Sequence, residues 1–332
     1  MINNHLYFNN VYLNNCSSAV GKKEFEGPLS AYFDLYSDDE YFGMKSFEEA
    51  ECEMVRQNIN VLFKKSQSDF NEIDCAFGGD LVNQCTATSF AIEHSKVPFI
   101  GLYGACSTAI ESILCASVFI SGGFAKKCIG LASSHFCTAE RQYRFPLEYG
   151  SVRTPTSQNT VTGSGAFLLS NIPSKIKIKS AVIGKIVDKN ITDANNMGAA
   201  MACAASDTIK RFFEDKIKKT EDFDLICTGD LGFEGHSIAK EILNLEGFEI
   251  NTEFTDCGML IYDKSKQDVG AGGSGCGCVA SVLAGYFHKM LNEDKIKNLL
   301  IVGTGALLNT NSALSGRTIP SIAHAIHVST EE

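Results

Sequence analysis

The sequence predicts a layered α/β fold made of two similar halves fused head to tail, and three observations carry that expectation. A strand-and-turn unit occurs twice: Asp74-Cys75-Ala76-Phe77-Gly78-Gly79-Asp80-Leu81 and, 150 residues later, Asp224-Leu225-Ile226-Cys227-Thr228-Gly229-Asp230-Leu231. A helix opened by a cysteine also occurs twice, at Gly104-Ala105-Cys106-Ser107 and, 170 residues on, at Ser274-Gly275-Cys276-Gly277. Third, the helices behind these cysteines are apolar all round: Ser107 to Ile120 carries one charge, Glu111, and Cys278 to Phe287 carries none. A helix without a polar face has to be covered on every side. Both are therefore expected side by side at the centre of a repeated strand–helix architecture.

The remaining elements follow from the same pattern. Phe47 to Lys65 reads as a helix leading into the first strand-and-turn unit, and Ala199 to Asp215 as its counterpart. Strands are expected at Cys128 to Ser133, after the first apolar helix, and at Leu299 to Gly303, after the second. The second spacing exceeds the first by 20 residues, which fall between Phe248 and Asp268, where Met259-Leu260-Ile261-Tyr262 reads as an added strand. The join lies near Asn171 to Lys179, giving halves at 1–175 and 176–332.

Composition narrows the function. A chain of 332 residues with 44% hydrophobic content buries a large core. The net charge of -10 speaks against nucleic acid and against electrostatic attachment to anionic lipid. The polar, asparagine-rich Met1 to Asn15 lacks the pattern of a secretory signal, and the most apolar windows are too short to cross a bilayer. Thirteen cysteines, an odd number in a long chain, point to reduced thiols packed as small core residues. No C-x-x-C pair is present, so neither a metal site nor a cofactor is expected.

Several segments could carry chemistry. Cys106 stands where a strand gives way to a buried helix, with Gly104 permitting a sharp turn; free amides and the positive end of the helix dipole there would favour a thiolate or an anion. The bland alternative is one more buried small residue. Gly270-Ala271-Gly272-Gly273-Ser274-Gly275 matches G-x-G-x-x-G, but Asp294, at the right offset for a dinucleotide's ribose, lies in a polar loop. Close backbone approach explains these glycines better. His135, after Ala132-Ser133-Ser134, and Thr304, in Gly303-Thr304-Gly305-Ala306, stand at corresponding strand ends, where open α/β sheets hold ligands. A structural role for His135 is the ordinary expectation.

Together these features resemble the thiolase superfamily, in which two similar halves enclose two central helices and the nucleophilic cysteine begins the first; Cys106 falls on that position. A closer resemblance is to the stage V sporulation protein AD family of thiolase-related proteins from spore-forming bacteria. It spans nearly the whole chain, through Val20-Gly21-Lys22-Lys23-Glu24-Phe25, Gly79-Asp80-Leu81-Val82-Asn83-Gln84, Ser133-Ser134-His135, Thr138-Ala139-Glu140-Arg141-Gln142, Asn196-Met197-Gly198-Ala199-Ala200-Met201 and Ala271-Gly272-Gly273-Ser274-Gly275-Cys276. Asn159 departs from it, standing where the family is expected to have tryptophan.

The resemblance implies binding of dipicolinic acid, with or without calcium, on its way into the forming spore. It also implies membrane-protein partners from the same operon, a homodimer formed near Val97 to Tyr103, and a peripheral place on the cytoplasmic side of the spore's inner membrane. Condensing relatives carry a histidine where this chain reads Thr228-Gly229-Asp230 and an asparagine where it reads Gly273-Ser274-Gly275. Asp230 would repel a thiolate, so no condensing activity is expected. Acyl transfer by Cys106 is the second reading. Cys106, His135, Asp230, Gly273, Ser274 and Thr304 are the expected ligand-binding residues.

Overall fold

A computed structural model describes residues 5–143 and 153–331. Its strands are β1 (His5–Tyr7), β2 (Tyr12–Gly21), β3 (Leu35–Ser37), β4 (Cys75–Gly79), β5 (Phe99–Gly101), β6 (Lys127–Ser134), β7 (Asn159–Thr160), β8 (Gly163–Ser170), β9 (Lys177–Val182), β10 (Leu225–Thr228), β11 (Glu253–Asp256), β12 (Gly273–Ser274), β13 (Asn298–Ala306) and β14 (Ser321–Ser329). The first five-strand path runs β5-β4-β6-β8-β2 and the second β11-β10-β13-β14-β9. In each, the three outer strands are parallel and the last two antiparallel. The repeat read from the sequence is thus a repeat of topology. The paths meet through one pair, Tyr12 with Lys177, and β1 crosses to the second path by pairing with β9.

The two apolar helices occupy the centre. The first, Thr108–Ser121, touches β4 and β6 of its own path and β13 and β14 of the other. The second begins at Cys276–Val282, runs on through Leu283–Phe287, and packs on β6, β8 and the first helix. Every residue from Cys276 to Val282 is buried. Glycine sets how close these layers come. A Cβ on Gly165 in β8 would lie 2.4 Å from the carbonyl oxygen of Ala280, and one on Gly303 in β13 would lie 2.6 Å from Ile110. Cores pack near crystal density, so these contacts exclude any larger residue.

One expected element is different. Cys257–Leu260 is a short helical turn, capped by the Asp256 side chain on Gly258 N, and the nearby strand is β11, immediately before it. β11 is the counterpart of β5, not an addition. Asp256 also accepts from Leu231 N, Gly232 N and Thr228 Oγ1. Those bonds stop the strand and begin the turn, a consequence of one polar side chain that apolar patterning cannot register. The extra length enters in the longer helix Gly232–Leu245 and in the loop that ends at β12.

Candidate functional site

Four of the six expected residues converge. β10 ends at Thr228 and carries Asp230 into the interior, where it is fully buried. Thr304 reaches it from β13 and Ser274 from β12. Asp230 Oδ1 accepts from Thr304 Oγ1 at 2.6 Å, and Oδ2 accepts from Ser274 Oγ at 3.0 Å and from Gly275 N at 2.9 Å. Cys106 completes the group, its Sγ 4.0 Å from Ser274 Oγ. Gly273 contributes backbone: its carbonyl accepts Gln158 Nε2 at 2.9 Å, and its strand β12 pairs with β7.

The electrostatics are those of a closed structural cluster. Burial pushes the Asp230 carboxyl above its usual range, against the donors that favour its charged form. Burial first, and the Asp230 charge second, push the Cys106 thiol well above its ordinary value. A thiol held this way is a weak nucleophile, because the thiolate is the reactive form.

The start of the first central helix does not offer the expected anion cradle. Ala105 takes a left-handed conformation with φ +53°, and a tight turn precedes the helix. Within that turn Ser107 N donates to Gly104 O at 3.2 Å and Thr108 N to Ala105 O. A Cβ on Gly305 would stand 3.4 Å from Cys106 N, so β13 backbone lies over that amide. The cavity beside Cys106, walled by Leu81, Tyr143, Met197 and Leu308 with Glu140 among them, has a volume of about 40 Å³. That is room for a water or two, not for a pyridine ring bearing two carboxylates.

His135 is not part of this group. Its Nδ1 accepts Cys137 N at 3.2 Å, which leaves Nε2 to donate to Glu40 O at 2.8 Å, and burial lowers its pKa. It is a neutral, structurally committed histidine on a neighbouring cavity with Lys22, Glu24 and Asn159. His236 is likewise committed, 3.2 Å from Phe254 O within its helix.

Sequence reasoning missed the residues beyond β7. Alternation along this short strand points Thr160 at the Cys106 cavity and sets Asn159 on the wall of a larger one of about 790 Å³. Asn159 is 1% exposed and holds four groups together. Its Oδ1 accepts Lys23 Nζ and Arg153 Nη1, each at 3.1 Å, while its Nδ2 donates to Tyr262 OH at 2.9 Å and to Thr160 O at 3.1 Å. Tyr262 in turn donates to Glu24, whose carboxyl burial raises to about 7. Lys23, Arg153 and Lys264 all line this larger cavity, with Glu234 and Asp268 as its acids. The one signal available beforehand was Asn159 itself, the departure from the expected tryptophan: a polar hub in place of an aromatic plug.

Comparison with known proteins agrees with this architecture. The family described as Stage V sporulation protein AD matches residues 4–329. The chain is 43% identical to Stage V sporulation protein AD of Bacillus subtilis (strain 168) over 316 residues, 95% of this chain and 93% of that one. Among solved structures, 3-oxoacyl-[acyl-carrier-protein] synthase III from Aquifex aeolicus VF5 superposes with a TM-score of 0.58 at 14% identity, covering 96% of this chain and 99% of the other. A variant of OleA from Xanthomonas campestris superposes at 0.62 and 13% identity, covering 98% and 99%. At such identity the likeness is one of fold.

Proposed function

Since the chain belongs to the stage V sporulation protein AD family, we propose that it is a thiolase-fold binding protein for dipicolinic acid that has given up condensation. The observation that carries this reading is Asp230. Acyl-transfer chemistry at a cysteine needs a thiolate, a base and donors aimed at the oxyanion. Here the group facing Cys106 is a buried carboxylate, with Thr304, Ser274 and Gly275 all turned towards it. Their hydrogens are spent on Asp230 and none is left for a thioester oxygen.

A dianion in a chain of net charge -10 needs local positive charge. The cavity of about 790 Å³ offers it at Lys23 and Lys264, while Arg153 on the same wall is paired with Glu140 at 2.6 Å and lies over the Phe136 ring at 5.2 Å. A small dicarboxylate fits such a lining with its carboxylates on the two lysines. Calcium would arrive with the ligand and meet Glu234 and Asp268, since both oxygens of Asp230 are occupied. Action beside membrane proteins of the same operon, at the spore's inner membrane, belongs to the same proposal; among the described residues no helix is long and apolar enough to cross a membrane.

Calorimetric titration of the full chain with dipicolinate, with and without calcium, tests this reading. Saturable binding that weakens roughly tenfold in Lys23→Ala and Lys264→Ala is expected, the loss of one charge-assisted contact each. Absence of saturable binding by the parent would sink the ligand. Cys106-dependent turnover of acetyl-CoA would restore the acyltransferase reading.

A further inference from the structure

A separate cavity of about 480 Å³ opens where β1 meets β9 and β14. We propose that it binds a small oxyanion, a phosphate or a carboxylate, and that His5 takes up a proton when the anion enters. This cavity shares no lining residue with the one around Lys23 and Lys264, so the proposal stands apart from the dipicolinate reading.

His5 is the first observation. Its side chain is only 5% exposed, stacked on Tyr7 at 4.5 Å and tilted against Phe212 at 4.9 Å. Nδ1 lies 2.9 Å from Asp215 Oδ2, an oxygen that also accepts the Tyr7 hydroxyl. A ring nitrogen so close to a carboxylate oxygen carries the hydrogen, which leaves Nε2 as the lone pair of a neutral ring. Nε2 is buried and has no hydrogen-bond partner among the described residues. A buried polar atom in that condition calls for an explanation. A ligand oxygen supplies it: with the ring protonated, Nδ1–H holds Asp215 and Nε2–H holds the anion.

The charges around the ring are the second observation. Lys177 and Lys179 leave the same face of β9, and Lys218 arrives from the loop after the helix Met197–Phe212. Their convergence registers on His327. Burial first, then Lys218, Lys179 and His5, hold its pKa down to about 3. His327 therefore stays neutral, 3.0 Å from Asn298 Oδ1. The facing acids are Asp215, committed to Tyr7 and His5, and Glu331 at the rim. Three lysines against two carboxylates, one of them held by neutral Tyr7 and His5, leave the described lining of this pocket with a net positive charge in an acidic protein. Burial lowers the His5 pKa and Asp215 opposes the shift; an anion at Nε2 adds to Asp215 and tips the ring to its charged form. The proton comes from solvent and no bond other than N–H forms.

Sulfate is the probe, because it has no proton to give near neutrality and any uptake belongs to the protein. Calorimetry on the full chain at about pH 7.5, in two buffers of different ionisation enthalpy, should show saturable sulfate binding with uptake of about one proton. Lys177→Ala should weaken binding roughly tenfold. His5→Gln, whose amide can still donate, should retain binding and lose the proton uptake. Should His5→Gln fail to fold, the half-buried Lys177 variant and the uptake by the parent decide the matter. Co-sedimentation with phosphatidylglycerol vesicles that Lys177→Ala abolishes would assign the oxyanion to a lipid headgroup; sulfate binding without co-sedimentation assigns it to a soluble ligand. No saturable binding of sulfate or phosphate, or binding indifferent to Lys177→Ala, overturns the proposal.

Discussion

Asp230 accepts from two buried hydroxyls and an amide, so its removal should be felt as stability. Asp230→Ala leaves Thr304, Ser274 and Gly275 with buried, unanswered donors, an expected loss of about 2–4 kcal/mol that urea unfolding would measure. A smaller effect, below about 1 kcal/mol, would mean that water replaces the carboxylate. Cys106 should be inert by the same logic. Its alkylation by iodoacetamide in the native protein should run about a hundredfold or more slower than in urea, since burial and Asp230 both hold the thiol protonated. The residues of this cluster were legible in the sequence because the repeat set them at strand ends. His135 stood at such an end too, yet the bend after β6 sends it to Glu40 O, 95 residues away in the chain. The bond between Lys23 and Asn159 spans 136 residues; no local pattern encodes a contact of that kind.

Among the elements, the two central helices were the most legible, because an all-apolar helix has one stable environment. Their fit depends on glycines whose purpose sequence patterning could name only for the run before Cys276. Gly165→Ala would press a methyl into the carbonyl of Ala280. Backbone cannot yield as a side-chain tip does, and a loss of about 3 kcal/mol or more, or failure to fold, is expected by thermal unfolding. The short strand β5 is the opposite case. It ends its path, and Ile100 is 40%, Tyr103 49% and nearby Phe90 54% exposed. An open edge with apolar neighbours is a template for pairing. We propose that two copies meet there, and light scattering should report a dimer that Ile100→Lys reduces to a monomer. The misread segment Met259–Tyr262 shows the limit of periodicity: four apolar residues suit a strand or a buried turn equally, and Asp256 decides.

Over the molecule as a whole, buried acids govern the response to pH. Burial raises Glu24 and Asp256 to about 7 and Glu51, beside Asp80, to about 8. Raised carboxyl groups contribute stability that is full below their unfolded values and lost as pH climbs through the folded ones. The lowered histidines, His288 at about 4 and His327 at about 3, act in the opposite sense, until unfolded histidine has lost its proton by about pH 7.5. Above about pH 7.5 the histidines are neutral in both states, and the raised acids, joined above about pH 8 by the buried thiols, act in one direction. Stability should therefore fall by about 2–3 kcal/mol up to about pH 8.5 in urea titrations, and Glu51→Gln should flatten the slope. The crossing of β1 to the second path has a different consequence, which concerns synthesis. On a ribosome the first path can close once β8 has emerged, but β1 finds β9 only when Val182 is out, and the first central helix keeps one flank bare until β13 and β14 follow. The nascent chain must therefore carry an unpaired leading strand and a half-covered apolar helix through most of translation. Residues 1–175 made alone should aggregate, and a chaperone that shields apolar surface should bind that fragment and release the finished chain.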